Sequence, residues 1–385
     1  MKNTGDEGAR RTKKKERRAS NKSVKEHNHT MVAKSSKVYF SVCACLAAVL
    51  VFGAGCRAGY VMHAAVGQIR LVSSAVPIDD ALSGSALSAS QKERLALVSK
   101  IKEFGEKELG LKQTSNYQTI YLGSDQPPLY TLAAAPRDRL TLVTWWFPVV
   151  GRMPYLGFFD LDKAREESRR LMEKDLDVVI GRADAYSTLG WFRDPLTLNL
   201  IHGSELDLVE TIFHEMTHTT LYLKGQGAFN EGLAQIIGKR GALQFLERTL
   251  GPSHPLTLEA EDAVEDERLF ASFLVSVFEK LEQVYRSSLS LEEKLAKREA
   301  LFLHFLEAFE LLKDRLKTQT FAHFGRIPLN NAYIMAFALY HRNYPLFEAV
   351  LERHQGSIRE MLLFFQDLSR KEGDLLAAAG KWLRE

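Results

Sequence analysis

The chain has 385 residues, 45% hydrophobic and 26% charged, a composition typical of a globular protein with one large or two ordinary domains. The net charge of +3 is unevenly distributed along the chain. Residues 1–37 contain 12 Lys and Arg against 4 Asp and Glu, a net charge of +8, which leaves −5 for the remainder. The basic character therefore belongs to an N-terminal tail, which argues against a nucleic-acid-binding domain.

An apolar run at residues 38–52 follows this tail and leads to Cys56. The run is short for a membrane span and has the length of the hydrophobic region of a secretory signal. We predict a lipoprotein signal with Cys56 as the lipidated first mature residue, although Gly53 stands where leucine is usual. An uncleaved anchor and cleavage without lipid are the alternatives. We expect an exported, membrane-tethered protein facing the periplasm or the cell exterior.

The basic tail is longer than the corresponding region of ordinary signals. A start at Met31 would give a normal signal length, which favours Met31 as the true start; a disordered cytoplasmic tail is the alternative. The chain has three cysteines, and all lie in the signal region, so we expect no disulfide and no cysteine zinc site beyond it.

The mature chain divides by pattern into residues 57–110, 111–250 and 251–385. The first part is predicted to be helical, including an amphipathic helix from Ser90 to Leu109. The second is predicted to be the catalytic core and begins with short β-prone runs within residues 117–147. The third is predicted to be an almost entirely helical lobe.

Residues 147–159 contain repeated Pro and Gly, which predict a loop whose aromatic side chains either line a pocket or pack beneath it. A helix at Asp160–Lys174 and a strand at Asp177–Arg182 are predicted next. Because zinc peptidases commonly bind the substrate backbone as an added strand, residues 181–195 are the candidate substrate edge. Tyr186 in this segment is a candidate substrate-binding residue.

A metal-binding motif, His-Glu-Met-Thr-His, follows this edge. His214 and His218 are four residues apart, so on a helix both imidazoles lie on one face and can reach one ion. Ser204 and Asp207 predict a capping box at the helix start. The helix is expected to end at Lys224–Gly227, where glycines and a lysine are typical of a helix end.

A second helix is predicted directly after that glycine turn, with Asn230 and Glu231 in its first turn. Glu231 can then join the two histidines as third ligand of a single catalytic Zn²⁺, with Glu215 as the general base. A structural histidine pair is the alternative. Gln235 stands where thermolysin-like enzymes place an aspartate, so Glu210, Asn230 or a backbone carbonyl is expected to support the ligands.

The segment His214–Gly241 resembles a family of bacterial exported proteins described as predicted zinc-dependent aminopeptidases. The resemblance extends to Trp145–Asp160, Ala185–Pro195, Gly67–Ile78 and, more weakly, Asn330–Tyr340. It implies zinc-dependent aminopeptidase activity on a peptide substrate at the membrane.

Residues 330–351 are predicted to be helical and place Asn331, Tyr333 and Tyr340 in an apolar setting. These side chains are candidates for a wall of the substrate cleft, with a tyrosine assisting the oxyanion; the alternative is buried hydrogen-bonding groups of a core. The expected fold class is α+β, with a zincin-like core in which a small sheet packs on the metal helix beside a helical lobe.

The predicted function is that of a membrane-tethered zinc metallopeptidase, more specifically an aminopeptidase. A non-catalytic zinc- or peptide-binding exported protein is one alternative, and a zinc endopeptidase or an amidase on another peptide substrate is the other. A carboxylate at Glu215 favours an enzyme, because a structural metal site does not require one there.

Overall fold

The computed structural model describes residues 58–123, 129–147, 151–183 and 194–385. Residues Val66–Glu385 form one compact unit, and the described residues before Val66 belong to a separate unit. The basic tail, the apolar run, Cys56 and Tyr186 lie outside the described residues, so the predictions made for them stay predictions.

Helices make up most of the described chain. They are α1 (Ala58–Ser73), α2 (Ile78–Ser83), α3 (Ala89–Lys107), α4 (Leu161–Met172), α5 (Leu198–His202), α6 (Glu205–Thr220), α7 (Gly227–Leu250), α8 (Pro255–Arg286), α9 (Leu291–Lys313), α10 (Asn331–His341), α11 (Tyr344–Arg353), α12 (Ile358–Leu368) and α13 (Leu375–Arg384). All elements after Pro255 are helical, as the sequence predicts.

Within the described residues, short strands form three small sheets. The strands are β1 (Ala75–Pro77), β2 (Thr119–Tyr121), β3 (Leu129–Pro136), β4 (Trp145–Phe147), β5 (Gly151–Met153), β6 (Leu156–Phe158), β7 (Leu176–Ala183) and β8 (Leu196–Thr197). One sheet has the order β1-β2-β8, the second is the antiparallel β6-β3-β7, and the third is the hairpin β4–β5. The protein is therefore mixed α+β, with small sheets among many helices.

The described part of the Pro- and Gly-rich segment at residues 147–159 is not the loop that the composition predicts. This part contains the end of β4 and the strands β5 and β6. β5 pairs only with β4, and β6 lies at the edge of its sheet, where strands tolerate Gly and flanking Pro. Gly151 has a φ of +80°, a conformation that glycine adopts without steric cost.

The sequence predicts a small sheet packed on α6, but the β6-β3-β7 sheet packs elsewhere. The principal packing partners of α6 are α7 and α3, whereas β3 and β7 pack against α4 and α10. α10 also packs against α7, so it connects the sheet to the helices around the metal-binding motif.

Two hydrophobic clusters form the core. The larger one joins α3, α6 and α7 to the C-terminal helices and includes Phe213, Phe229 and Phe347. The second joins α8, α9 and α10 and is rich in phenylalanine, with Phe270 stacked on Phe321 at a centroid separation of 4.0 Å. Burial of large aromatic side chains in both clusters supplies much of the hydrophobic stabilisation.

A buried set of polar contacts, called the polar joint below, connects helices α8, α9 and α10 to the β6-β3-β7 sheet. The Arg298 guanidinium donates to Asp177 Oδ2 at 2.7 Å, and the same oxygen accepts from the backbone amide of Asn331 at 3.0 Å. The Asn331 side chain accepts from the Tyr285 hydroxyl at 2.7 Å and donates to the Pro136 carbonyl at 2.9 Å. This joint fixes the start of α10 on the sheet.

Replacing Asn331 with alanine is expected to lower the free energy of unfolding by about 2–4 kcal/mol, because buried groups at the joint lose their partners. Urea denaturation of the full chain measures the change. Asn343→Ala is the matched control, since Asn343 precedes α11 without capping it through its side chain and should cost less than about 0.5 kcal/mol. Equal losses in the two variants would contradict a stabilising role for the joint.

Within the part of the chain that the structure describes, no helix combines the length and the hydropathy that crossing a bilayer requires.

Candidate metal centre

The helix α6 begins as its sequence predicts and ends earlier. Ser204 Oγ accepts from the amide of Asp207 at 3.0 Å, and the Asp207 carboxylate accepts from the Ser204 amide at 3.3 Å, which completes the capping box. The last helical residue is Thr220, four residues before the predicted end at Lys224. The backbone is extended at Leu221, so the connection to α7 spans six residues.

The Asn230 side chain holds this connection. Its Oδ1 accepts from the Leu223 amide at 2.9 Å, and its Nδ2 donates to the Leu223 carbonyl at 2.8 Å. Gly225, with a φ of +80°, allows the reversal of the chain. Asn230 therefore fixes the turn that precedes Glu231 and does not contact the histidines through the bonds described here.

Close contact between α6 and α7 depends on two glycines. A Cβ at Gly238 would lie 2.9 Å from the Glu210 carbonyl oxygen, and a Cβ at Gly241 would lie 3.1 Å from the Phe213 ring. Larger residues would push the two helices apart. The sequence thus sets a short interhelical distance, which brings the first turn of α7 towards the histidine face of α6.

The three predicted ligands converge. Glu231 Oε2 lies 3.4 Å from His214 Nε2 and 3.4 Å from His218 Nε2, and the two imidazole nitrogens are 3.2 Å apart. One ligand atom from each residue lies within 4.8 Å of the others, so one ion can be bound by all three. The side chains are 16%, 7% and 9% exposed in the order His214, His218 and Glu231, which leaves a largely desolvated site.

Electrostatics favour an ionised carboxylate in this cluster. Burial by itself raises the pKa of Glu231, but the imidazoles of His218 and His214 outweigh it and hold the pKa well below its usual range. For His218, burial by itself lowers the pKa, but the carboxylates of Glu231 and Glu215 outweigh it. The pKa of His218 is therefore above its usual value. Glu231 is therefore ionised, which is the form of a carboxylate that can bind a cation.

Glu215 lies next to the predicted ligand His214 in sequence. Its Oε2 is buried and has no hydrogen-bond partner among the described residues. A buried unpaired carboxylate oxygen is costly, and such atoms are retained where a ligand or a reaction uses them. The Tyr117 hydroxyl and His218 Nδ1 are likewise buried without a described partner.

Three tyrosines surround the cluster. The Tyr340 ring stacks on His214 with centroids 6.1 Å apart, and the Tyr222 ring meets His218 edge-on at 6.5 Å. The Tyr155 hydroxyl donates to Glu231 Oε1 at 3.4 Å. Tyr340 thus lies where the sequence analysis expects a wall of the site. Tyr155 and Tyr222 were not predicted individually, although Tyr155 belongs to the aromatic segment for which pocket lining was one alternative.

Asn331 and Tyr333 have structural contacts. Asn331 is fully buried in the polar joint, and Tyr333 packs in the second hydrophobic cluster, where its hydroxyl accepts from the Gly325 amide at 3.1 Å. These contacts give both residues a structural role. They follow the alternative of buried hydrogen-bonding groups in a core.

Glu210, one of the expected supporting partners of the histidines, is engaged elsewhere, and so is Gln235, which stands where thermolysin-like enzymes place an aspartate. Glu210 pairs with the buried Lys239 at 3.1 Å, and Gln235 donates to Glu267 at 3.0 Å. Glu267 also pairs with His341, the residue after Tyr340. This buried network joins α6, α7, α8 and α10, and thereby holds the Tyr340 ring against His214.

Two surface grooves lie apart from the ligand cluster. One of about 510 Å³ is lined by charged residues that include Arg268 and Lys317, and one of about 370 Å³ is lined by residues that include Arg94 and Glu205. Arg268 pairs with Glu348, and Lys317 pairs with Asp262. None of the three predicted ligand residues lines either groove.

Comparison with known proteins relates the chain to a family. A family model described as "Putative aminopeptidase" matches residues 59–374, most of the chain. No curated protein matches. No solved structure matches either.

Proposed function

The chain belongs to the family described as "Putative aminopeptidase", which supports peptidase activity at the level of the class, and from this premise we propose that it is a zinc metallopeptidase. His214, His218 and Glu231 would bind one zinc ion, and Glu215 would act as the general base. The convergence of the three ligand atoms within 4.8 Å is the observation that carries the proposal.

The donor set fits zinc. Two imidazoles and one carboxylate are the ligands of many catalytic zinc sites, and three protein ligands leave a position for water or substrate. A purely structural site is normally closed by a fourth protein ligand, and the metal-binding group described here has three. The unpaired Glu215 oxygen beside this group further supports a catalytic site.

When bound, zinc would supply Lewis-acid polarisation of the scissile carbonyl and would lower the pKa of a water molecule. Glu215 then takes the proton as the water oxygen attacks the carbonyl carbon, and delivers it to the amine nitrogen when the C–N bond breaks. Burial, together with the charges of Glu231 and Glu215, raises the pKa of Tyr340 well above its usual value. Tyr340 therefore keeps its proton and can donate a hydrogen bond to the developing oxyanion.

The test is a cleavage assay with the full-length chain and a mixed peptide library, combined with elemental analysis for zinc. We expect about one zinc per chain, loss of cleavage with a chelator, and recovery when zinc is added. Bound zinc without any cleavage would instead indicate a non-catalytic binding protein. A protein without zinc that cleaves equally well in chelator would contradict the proposal.

Aminopeptidase specificity is the finer part of the proposal and rests on the family alone. An aminopeptidase must bind the free amine of its substrate, so N-acetylated peptides should be cut far more slowly than free ones, with single residues released from the N-terminus. Internal cleavage at similar rates in both would identify an endopeptidase that uses the same metal centre.

We also propose that the protein is exported and anchored to a membrane, facing the periplasm or the cell exterior. The support is the basic tail, the apolar run at residues 38–52 and the following Cys56. Mass spectrometry of the N-terminal peptide from membranes distinguishes a lipidated Cys56 from an intact uncleaved segment or a cleaved, unmodified terminus.

A further inference from the structure

The two carboxylate oxygens of Glu231 have different partners. Oε2 lies 3.4 Å from each imidazole nitrogen of the histidine pair, whereas Oε1 accepts a hydrogen bond from the Tyr155 hydroxyl at 3.4 Å. A carboxylate can bind a metal through one oxygen or through both, and an outer hydrogen bond to one oxygen favours binding through the other. The environment of Glu231 therefore distinguishes its two oxygens.

Tyr155 is held in place by its neighbours in sequence. It lies in the short link between β5 and β6, directly after Met153 and Pro154. Pro154 packs on the first turn of α7, since a Cβ at Gly227 would lie only 3.2 Å from its Cγ. The Tyr222 hydroxyl, from the connection between α6 and α7, lies 3.3 Å from Met153 Sδ. The link is thus fixed against both ends of the connection that leads to Glu231.

Tyr155 is also a reliable donor. An ordinary tyrosine hydroxyl carries its proton at neutral pH, and this one lies at 3.4 Å from a carboxylate oxygen, which can only accept. A hydrogen bond from a neutral hydroxyl to an ionised carboxylate is stronger than one between neutral groups.

We propose that Tyr155 is a positioning residue of the metal centre, whose hydroxyl occupies Glu231 Oε1 and directs Oε2 alone towards the histidine pair. The inference rests on the proposed zinc centre and adds a residue that the metal-binding motif does not contain. It also assigns a role to the segment between Trp145 and Asp160, which lies more than 50 residues before the motif.

Tyr155→Phe tests this assignment, because it removes the hydroxyl and keeps the ring. We expect apparent zinc affinity, measured by competition with a chromophoric chelator, to fall by about 10–100-fold, the usual effect of losing an outer partner of a metal ligand. Tyr333→Phe is the matched control, since it removes another hydrogen-bonded, largely buried hydroxyl, which accepts from the Gly325 amide and donates to the His323 carbonyl. Its zinc affinity should equal that of the wild type.

Cobalt substitution gives a readout that general destabilisation would not change. In Tyr155→Phe the Oε1 atom of Glu231 is released, so both carboxylate oxygens can reach the ion. The visible absorption of the cobalt form of this variant should therefore be weaker than that of the wild type and of Tyr333→Phe. Thermal unfolding of the metal-free proteins separates folding defects from binding defects.

The outcomes separate the two proposals. Wild-type affinity and an unchanged cobalt spectrum in Tyr155→Phe would overturn the role of Tyr155 and leave the zinc centre intact. Equal losses of affinity in Tyr155→Phe and Tyr333→Phe would also overturn it, because the effect would then be general. A wild-type chain that binds neither zinc nor cobalt would remove both proposals.

Discussion

Glu215→Gln is expected to lose peptide hydrolysis by a factor on the order of 10² or more while zinc stays bound, because glutamine keeps the size of the side chain and removes the base. Glu215 has a buried, unpaired Oε2 beside the ligand cluster and is not one of the three converging ligands. Turnover of a peptide substrate and zinc content by elemental analysis are measured on the same sample.

The control for this variant is Glu247→Gln, which makes the same chemical change at an exposed position near the end of α7. Its activity and zinc content should match those of the wild type. Undiminished hydrolysis by Glu215→Gln would remove Glu215 from the mechanism, and loss of zinc from this variant would make Glu215 a ligand.

Glu231→Gln is expected to lose zinc as well as activity. The neutral amide removes the charge that both imidazoles contact at 3.4 Å, so the remaining pair of histidines should bind zinc more weakly by more than about 100-fold, a larger loss than that of an outer partner. Hydrolysis should fall with zinc content and recover in part when excess zinc is supplied.

Equilibrium dialysis against zinc buffers measures this loss, and His218→Ala provides an independent comparison, since it removes another predicted ligand. The two variants should lose zinc together. If Glu231→Gln keeps zinc and stays active while Glu215→Gln loses zinc, the roles assigned to the two glutamates are wrong. If neither Glu231→Gln nor His218→Ala loses zinc, the ion binds elsewhere.

The local elements around the motif were predictable because their causes are local. Ser204 and Asp207 form the capping box that their spacing predicts, and the four-residue spacing of the histidines brings both Nε2 atoms to the same point. The position of Glu231 was predictable from a short turn followed by a second amphipathic helix. Helical spacing and capping depend on neighbours within one turn, which the sequence shows directly.

The end of α6 was less predictable. Glycines after Lys224 suggested a helix to that point, but Asn230 on the next helix binds the Leu223 backbone and holds it in the connection. A side chain seven residues away thus competes with helical hydrogen bonds for the same backbone groups, a choice that local propensity does not contain. Residues 147–159 show the same limit, because strand pairing there overrides the composition of the segment.

By itself the sequence determined the α+β class, the helical character of the C-terminal part and three side chains able to bind one ion. The tertiary structure alone decided which distant side chains complete the centre. Tyr155 reaches Glu231 from 76 residues away, and Tyr340 reaches His214 across the second half of the chain, while Asn331 and Tyr333 on the same helix as Tyr340 serve the core. The physical reason is that helix and strand periodicity sets which face a residue occupies, whereas packing between elements sets what that face meets.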